Sequence, residues 1–158
     1  MNVEFIEPFV RAAFTVIESI SGNKPEKGQL SLRKSSFTTQ QVTIMAGVNG
    51  EVEGTALYGM SFVTALKIAS AMMCSEVSEM DEMALSAVSE LGNMITGNAT
   101  TILSQKGLDV DITPPSVIRG VDVEVATKTP ALVVPVNTEM GLLEINVSLA
   151  ENQMRKAA

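Results

Sequence analysis

The sequence predicts an α+β fold in which one antiparallel sheet carries helices packed on one face. Three observations lead there. Each half of the chain opens with a segment of helical periodicity and continues in short strand-like runs. The connections between those runs are short, which favours antiparallel pairing over the long crossovers of a doubly wound parallel sheet. The 158 residues are 46% apolar, enough for one full core with no staple.

In chain order, Ile6, Phe9, Val10, Ala13, Phe14 and Ile17 recur at three and four, predicting an amphipathic helix over 3–20 that starts or bends near Pro8. Residues 22–28 have turn chemistry throughout and read as a loop. Strands are predicted at 29–33, 41–48 and 51–60, the last two joined by a two-residue turn at Asn49-Gly50. A second helix is predicted over 62–74 with Ser61 as its N-cap, and Cys74 reads as a packed thiol. The longest helix runs over 81–105 and stops at Gly107. Residues 108–112, 117–125, 131–136 and 142–149 read as strands punctuated by proline and glycine turns. Residues 1–150 make a single domain on this reading, followed by a polar tail, 151–158, that frays. Most of the ten methionines are assigned to core filling.

Val48-Asn49-x-Glu51-Val52 recurs as Val136-Asn137-x-Glu139-Met140, an offset of 88 (136 − 48), and the same shift moves the first helix roughly onto the third. A worn duplication predicts two similar helix-plus-strands units in one sheet. Helices on one face leave the other face available, and uncovered edge strands can be managed by pairing with a second copy of the chain.

Composition narrows the chemistry. With no histidine the chain cannot run a Ser-His-Asp or Cys-His triad or build a His-ligated zinc site. One cysteine allows no intrachain disulfide and no Cys₄ cage. A balance of 11 basic against 18 acidic residues, net −7, argues against nucleic-acid binding. The amino terminus lacks the pattern of a signal peptide, and apolar runs fall short of the ~18 residues of a membrane span, so a cytoplasmic protein without membrane insertion is expected. The carboxylates from Glu76 to Glu82 crowd the start of the longest helix, where they complement its dipole.

On that helix Leu85, Val88, Gly92, Ile95, Ala99 and Ile102 collect on one side as a core stripe, whereas Ser86, Glu90, Asn93 and Gly97 share an opposite arc of about 60°. A carboxylate and an amide three apart point the same way and can act on one ligand. Glycine in a helix interior costs about 1 kcal/mol relative to alanine. Gly92, on the core side, permits close packing, while Gly97 leaves a low spot beside the polar pair. A lone Glu-x-x-Asn is also common on solvated helix faces.

Ser86-x-x-x-Glu90-x-x-Asn93 followed by Thr113-Pro114-Pro115 resembles the signature of the CheC/CheX/FliY phosphatases, with the CheX branch closest. The likeness extends over nearly the whole chain: the Pro8-Phe9 helix, the Asn49-Gly50 hairpin, Ser70-Ala71-Met72-Met73, Glu90-Leu91-Gly92-Asn93-Met94 and Asp111-Ile112-Thr113-Pro114-Pro115. One Glu-x-x-Asn occurs in the sequence, and the first helix offers Glu18-Ser19-Ile20-Ser21, with serine where the amide would stand. A single site is the pattern of the CheX branch. The resemblance implies a pseudo-duplicated CheC-like fold, a homodimer joined through edge strands, and hydrolysis of the aspartyl phosphate of the chemotaxis response regulator CheY or a CheY-like receiver domain. Asn93 is then expected to orient the attacking water, as an amide does in small GTPases. Glu90 is expected to dock onto a regulator lysine, with general-base help to the water as the alternative role. Ser86, Gly97, Pro114 and Pro115 fall to partner contact, and the resemblance implies no metal site and no cofactor of the chain's own, the Mg²⁺ being carried by the regulator. The competing expectation is a non-catalytic module that binds phosphorylated regulator or a flagellar-switch component.

Overall fold

Pro8 sets where the first helix can begin. In the computed structural model, which describes residues 3–156, a 3-10 turn over Val3–Phe5 leads into α1 (Glu7–Ser21), with Pro8 in the first turn where a missing N–H costs no hydrogen bond. Gly22, at φ +78°, closes the helix in the left-handed conformation. Then follow β1 (Glu26–Lys27), β2 (Ser31–Arg33), β3 (Ser36–Thr38), β4 (Val42–Gly50) and β5 (Val52–Met60). Helix α2 (Phe62–Met73) is capped as its sequence predicts, the Ser61 hydroxyl accepting from the Thr64 amide at 3.1 Å. Asp81 caps α3 (Glu82–Gln105) by accepting from the Ala84 amide at 2.9 Å. The chain continues through β6 (Val110–Ile112), β7 (Ser116–Arg119), β8 (Glu124–Ala126), β9 (Ala131–Thr138), β10 (Gly141–Glu151) and a last helical turn, α4 (Gln153–Lys156).

Eight strands make one antiparallel sheet. Its order is β1-β9-β10-β5-β4-β6, with β2 also pairing β9 and β7 also pairing β4; β3 and β8 form a separate two-stranded ribbon. Helices α1, α2 and α3 cover one face, where Phe9, Ile17, Ile68, Leu91 and Ile95 pack against Ile44, Tyr58, Val134, Leu143 and Ile145. Strand periodicity turns Leu57, Val133, Asn146 and Ser148 to the opposite face, yet these too are buried. That face is therefore not left available as expected. Gln40 lies over Gly59, Thr129 bonds Ser148, and Arg33 pairs with Glu144 at 2.8 Å.

The two halves are related as the repeated Val-Asn-x-Glu predicts. β5 and β10 lie side by side at the centre, β4 and β9 flank them, and each half sends its short strands to the other half's side: β1 and β2 to β9, β6 and β7 to β4. The ribbon sits on the same relation, since Phe37 pairs with Val125, again 88 apart (125 − 37). The helix ends, Ser21 and Gln105, are 84 apart (105 − 21). At that offset Glu90 and Asn93 correspond to Ile6 and Phe9, which are buried. Glu18 to Ser21 is therefore not the vestige of a second site; it matches the C-terminal turn of α3.

Other expectations are corrected locally. Cys74 is exposed and takes the left-handed position that ends α2, at φ +53°, so it is not a packed thiol. Asn49-Gly50 is not a two-residue turn. The β4–β5 ladder stops at Val48 and Gly54, while Asn49 and Gly50 pair with Asp111 and Val110 of β6. The strand expected at 117–125 is two strands, β7 and β8, because Asp122 adopts φ +57° between them. The loop at 22–28 contains β1. Among the described residues no helix is long and apolar enough to cross a membrane.

Candidate active site

Helix α3 lies close on the sheet because Gly92 lets it. A Cβ at Gly92 would stand 2.4 Å from Cγ2 of Ile44 on β4, well inside contact distance. Close approach, rather than chance, accounts for this glycine. One residue further, Asn93 emerges half-buried at the helix margin, with exposed Glu90 and Ser86 one and two turns before it. Behind them the buried Thr96 hydroxyl donates to the Gly92 carbonyl at 2.7 Å and meets the Tyr58 hydroxyl at 2.7 Å, tying the helix to β5.

The second wall comes from the sheet edge. β6 pairs with Val48 to Gly50 and β7 with Val42 to Met45 of the same strand, so Thr113, Pro114 and Pro115 bulge out opposite Ala46 and Gly47. Prolines have no amide to give a ladder and are tolerated on an edge at such a bulge. Thr113 anchors it: its amide donates to the Gly47 carbonyl at 2.9 Å, and its hydroxyl accepts from the Gly47 amide at 2.9 Å. A Cβ on Gly47 would lie 2.8 Å from the Thr113 hydroxyl.

Helix face and bulge enclose a cleft of about 700 Å³, lined by Ser86, Ser89, Glu90 and Asn93 on one side and Thr113, Pro114 and Pro115 on the other, with Leu85, Ile112 and Val117 as apolar surface. Five of the six residues predicted from sequence meet there. Gly97 does not; it lies a turn beyond, an added Cβ would point into open space, and its carbonyl accepts from the hydroxyls of Thr100 and Thr101. Ser89 lines the cleft with no role assigned from sequence, Thr113 enters the sequence reading only as part of the signature, and Gly47, outside the lining, seats Thr113. For Gly47 the signal lies in a partner 66 residues away, beyond local pattern. Among the described residues no lysine or arginine lines the cleft, and none engages the Glu90 carboxylate or the Asn93 amide. A carboxylate and an amide are thus free at one opening, with no cation to bind a phosphate. Such a site can place a water and hold a cationic group, while charge and electrophile come from outside.

The chain is similar to known proteins in both sequence and fold. The family profile "Chemotaxis phosphatase CheX" matches residues 42–137. The CheY-P phosphatase CheX of Thermotoga maritima is 33% identical over 138 residues, covering 87% of this chain and 89% of that protein. A solved CheX-CheY-BeF3-Mg²⁺ complex from Borrelia burgdorferi has a chain 32% identical with a TM-score of 0.81, covering 95% of this chain and 100% of that one. A CheC-like superfamily protein from Shewanella sp. PV-4 superposes with a TM-score of 0.84 at 27% identity, over 95% of this chain and 99% of that one.

Proposed function

This chain belongs to the chemotaxis phosphatase CheX family, and on that premise we propose that it hydrolyses the aspartyl phosphate of a CheY-like receiver domain, with Asn93 orienting the attacking water and Glu90 docking onto a cationic side chain of the receiver. One observation carries the assignment of roles: Glu90 and Asn93 stand unengaged on one helix face at the mouth of the cleft. An acyl phosphate bound to the receiver's own Mg²⁺ is already activated. Phosphoryl transfer then requires a water held in line and stabilised charge, both matters of positioning. The Asn93 amide both donates and accepts, so it can hold a water whose lone pair faces phosphorus. The Glu90 carboxylate, one turn earlier, fixes the register by a charge-assisted bond worth about 1.5–3 kcal/mol. Ser86, Pro114 and Pro115 bound the space into which the receiver's active site is brought. A homodimer joined through edge strands belongs to the same reading.

The test is the lifetime of phosphorylated CheY-like receiver in Mg²⁺, with and without the protein. Wild type shortens it, and Asn93→Ala removes about 100-fold or more of the acceleration while the fold survives. Phosphorylation-dependent binding with no acceleration by wild type would instead identify a phosphate sink.

A further inference from the structure

We propose that an apolar step formed by Met83 and Met73 is a second docking element for the receiver, one that sets affinity without entering the chemistry; the proposal rests on the phosphatase reading and deepens it. Met60, Met80 and Met140 are buried, but Met83 is 67% exposed in the first turn of α3. A single exposed apolar side chain is ordinary. This one is distinguished by its place. Met83 precedes Ser86 by three residues, Glu90 by seven and Asn93 by ten, so all four fall on one stripe of the helix. Met73, half-buried at the end of α2, faces the same opening. Met73, Met83, Glu82 and Ser86 line a depression of about 400 Å³, and Ser86 also lines the cleft that holds Glu90 and Asn93. The two depressions meet at Ser86, which brings Met83 within reach of a receiver whose phosphoaspartate stands at Asn93.

Charge selects the occupant. Among the described residues no lysine or arginine lines either depression, Glu82 and Glu90 rim them, and the chain carries a net charge of −7. The complementary surface is an apolar side chain within a basic margin, on the receiver face that also carries the phosphate. Methionine suits such a contact because its unbranched, polarisable side chain adapts to an irregular partner. At 1.5 Å per residue, Met83 is about 15 Å from Asn93 along the helix, too far to touch the reacting atoms. Its loss therefore raises KM and leaves kcat alone.

The experiment titrates wild type and Met83→Ala with receiver activated by beryllofluoride and Mg²⁺, and measures steady-state turnover of both. Met83→Ala is expected to weaken binding and raise KM by about 10-fold with kcat unchanged. Met83→Leu should restore both, and Met154→Ala, which removes another exposed methionine outside the cleft, should change neither. Equal affinity of Met83→Ala and wild type, in a protein that binds and hydrolyses, overturns the docking element and leaves the phosphatase reading standing. A kcat that falls as KM rises would also overturn it, because the residue would then act on the chemistry. If wild type neither binds nor hydrolyses, the phosphatase reading itself fails, and the docking element with it.

Discussion

Tyr58 is the only tyrosine of the chain, and it is buried directly behind the active helix. Thr96 has one hydroxyl proton and gives it to the Gly92 carbonyl, so the 2.7 Å contact is one in which Tyr58 donates. Burial pushes its phenol well above the usual tyrosine range. In the unfolded chain the same phenol ionises near its ordinary value of about 10. The folded state thus retains a proton that the unfolded state loses, and stability falls as pH rises beyond about 10. Ultraviolet titration is expected to show no tyrosinate signal until the protein unfolds. Signal appearing gradually near pH 10 in folded protein would contradict the buried placement. At this scale helical spacing sets Ser86, Glu90 and Asn93 on one face because the period is local, whereas Pro114 and Pro115 join them only through the resemblance of Thr113-Pro114-Pro115 to the family signature. The same spacing adds Gly97, which lies outside the cleft. Helical angle put it on the polar side, but the cleft closes a turn earlier, where the bulge ends.

Among the elements, the Thr113 bulge does most to shape the site, and Gly47 is the glycine on which it depends. Gly47→Ala would place a methyl 2.8 Å from the Thr113 hydroxyl, in the middle of the paired bonds that seat it. Overpacking of this kind costs about 1–3 kcal/mol, and relief comes from moving an exposed edge rather than the core. The expected result is a modest loss of stability by chemical denaturation with a larger loss of receiver dephosphorylation. Activity equal to wild type would show that the bulge need not stay where it is. Helix α2 is legible to its cap, since Ser61 acts within three residues, whereas Asp81, expected as the first residue of α3, is instead its cap. The short strands were not legible. β1 and β3 exist because β9 and β8 lie opposite them, and the split between β7 and β8 turns on one residue, Asp122, in a left-handed conformation. Cys74 was misread because its apolar neighbours implied burial, whereas the helix had already ended there.

For the whole molecule, the 88-residue repeat predicts two like units in one sheet, but neither their pairing at its centre nor the crossing of their short strands. That exchange leaves β1 and β2 at one side of the sheet and β6 and β7 at the other, with Leu32 of β2 68% exposed. An apolar, uncovered edge is a template for another chain. The homodimer proposed above is expected to sediment at twice the 16.8 kDa chain mass, and Leu32→Glu should shift it towards monomer. A 16.8 kDa species at all concentrations would exclude an edge-strand dimer.

The position of β10 bears on how the protein is made. Among the described residues it is the last strand to be made, and yet it lies between β5 and β9, bonded to both. While the ribosome is still translating it, the two flanking strands have nothing between them. The first half cannot close on itself either, because β1 and β2 await β9. Neither half has a finished fold of its own, so the duplicated units are not separable domains, and the sheet closes only after synthesis of β10. Until then its unpaired edges need protection from neighbouring nascent chains.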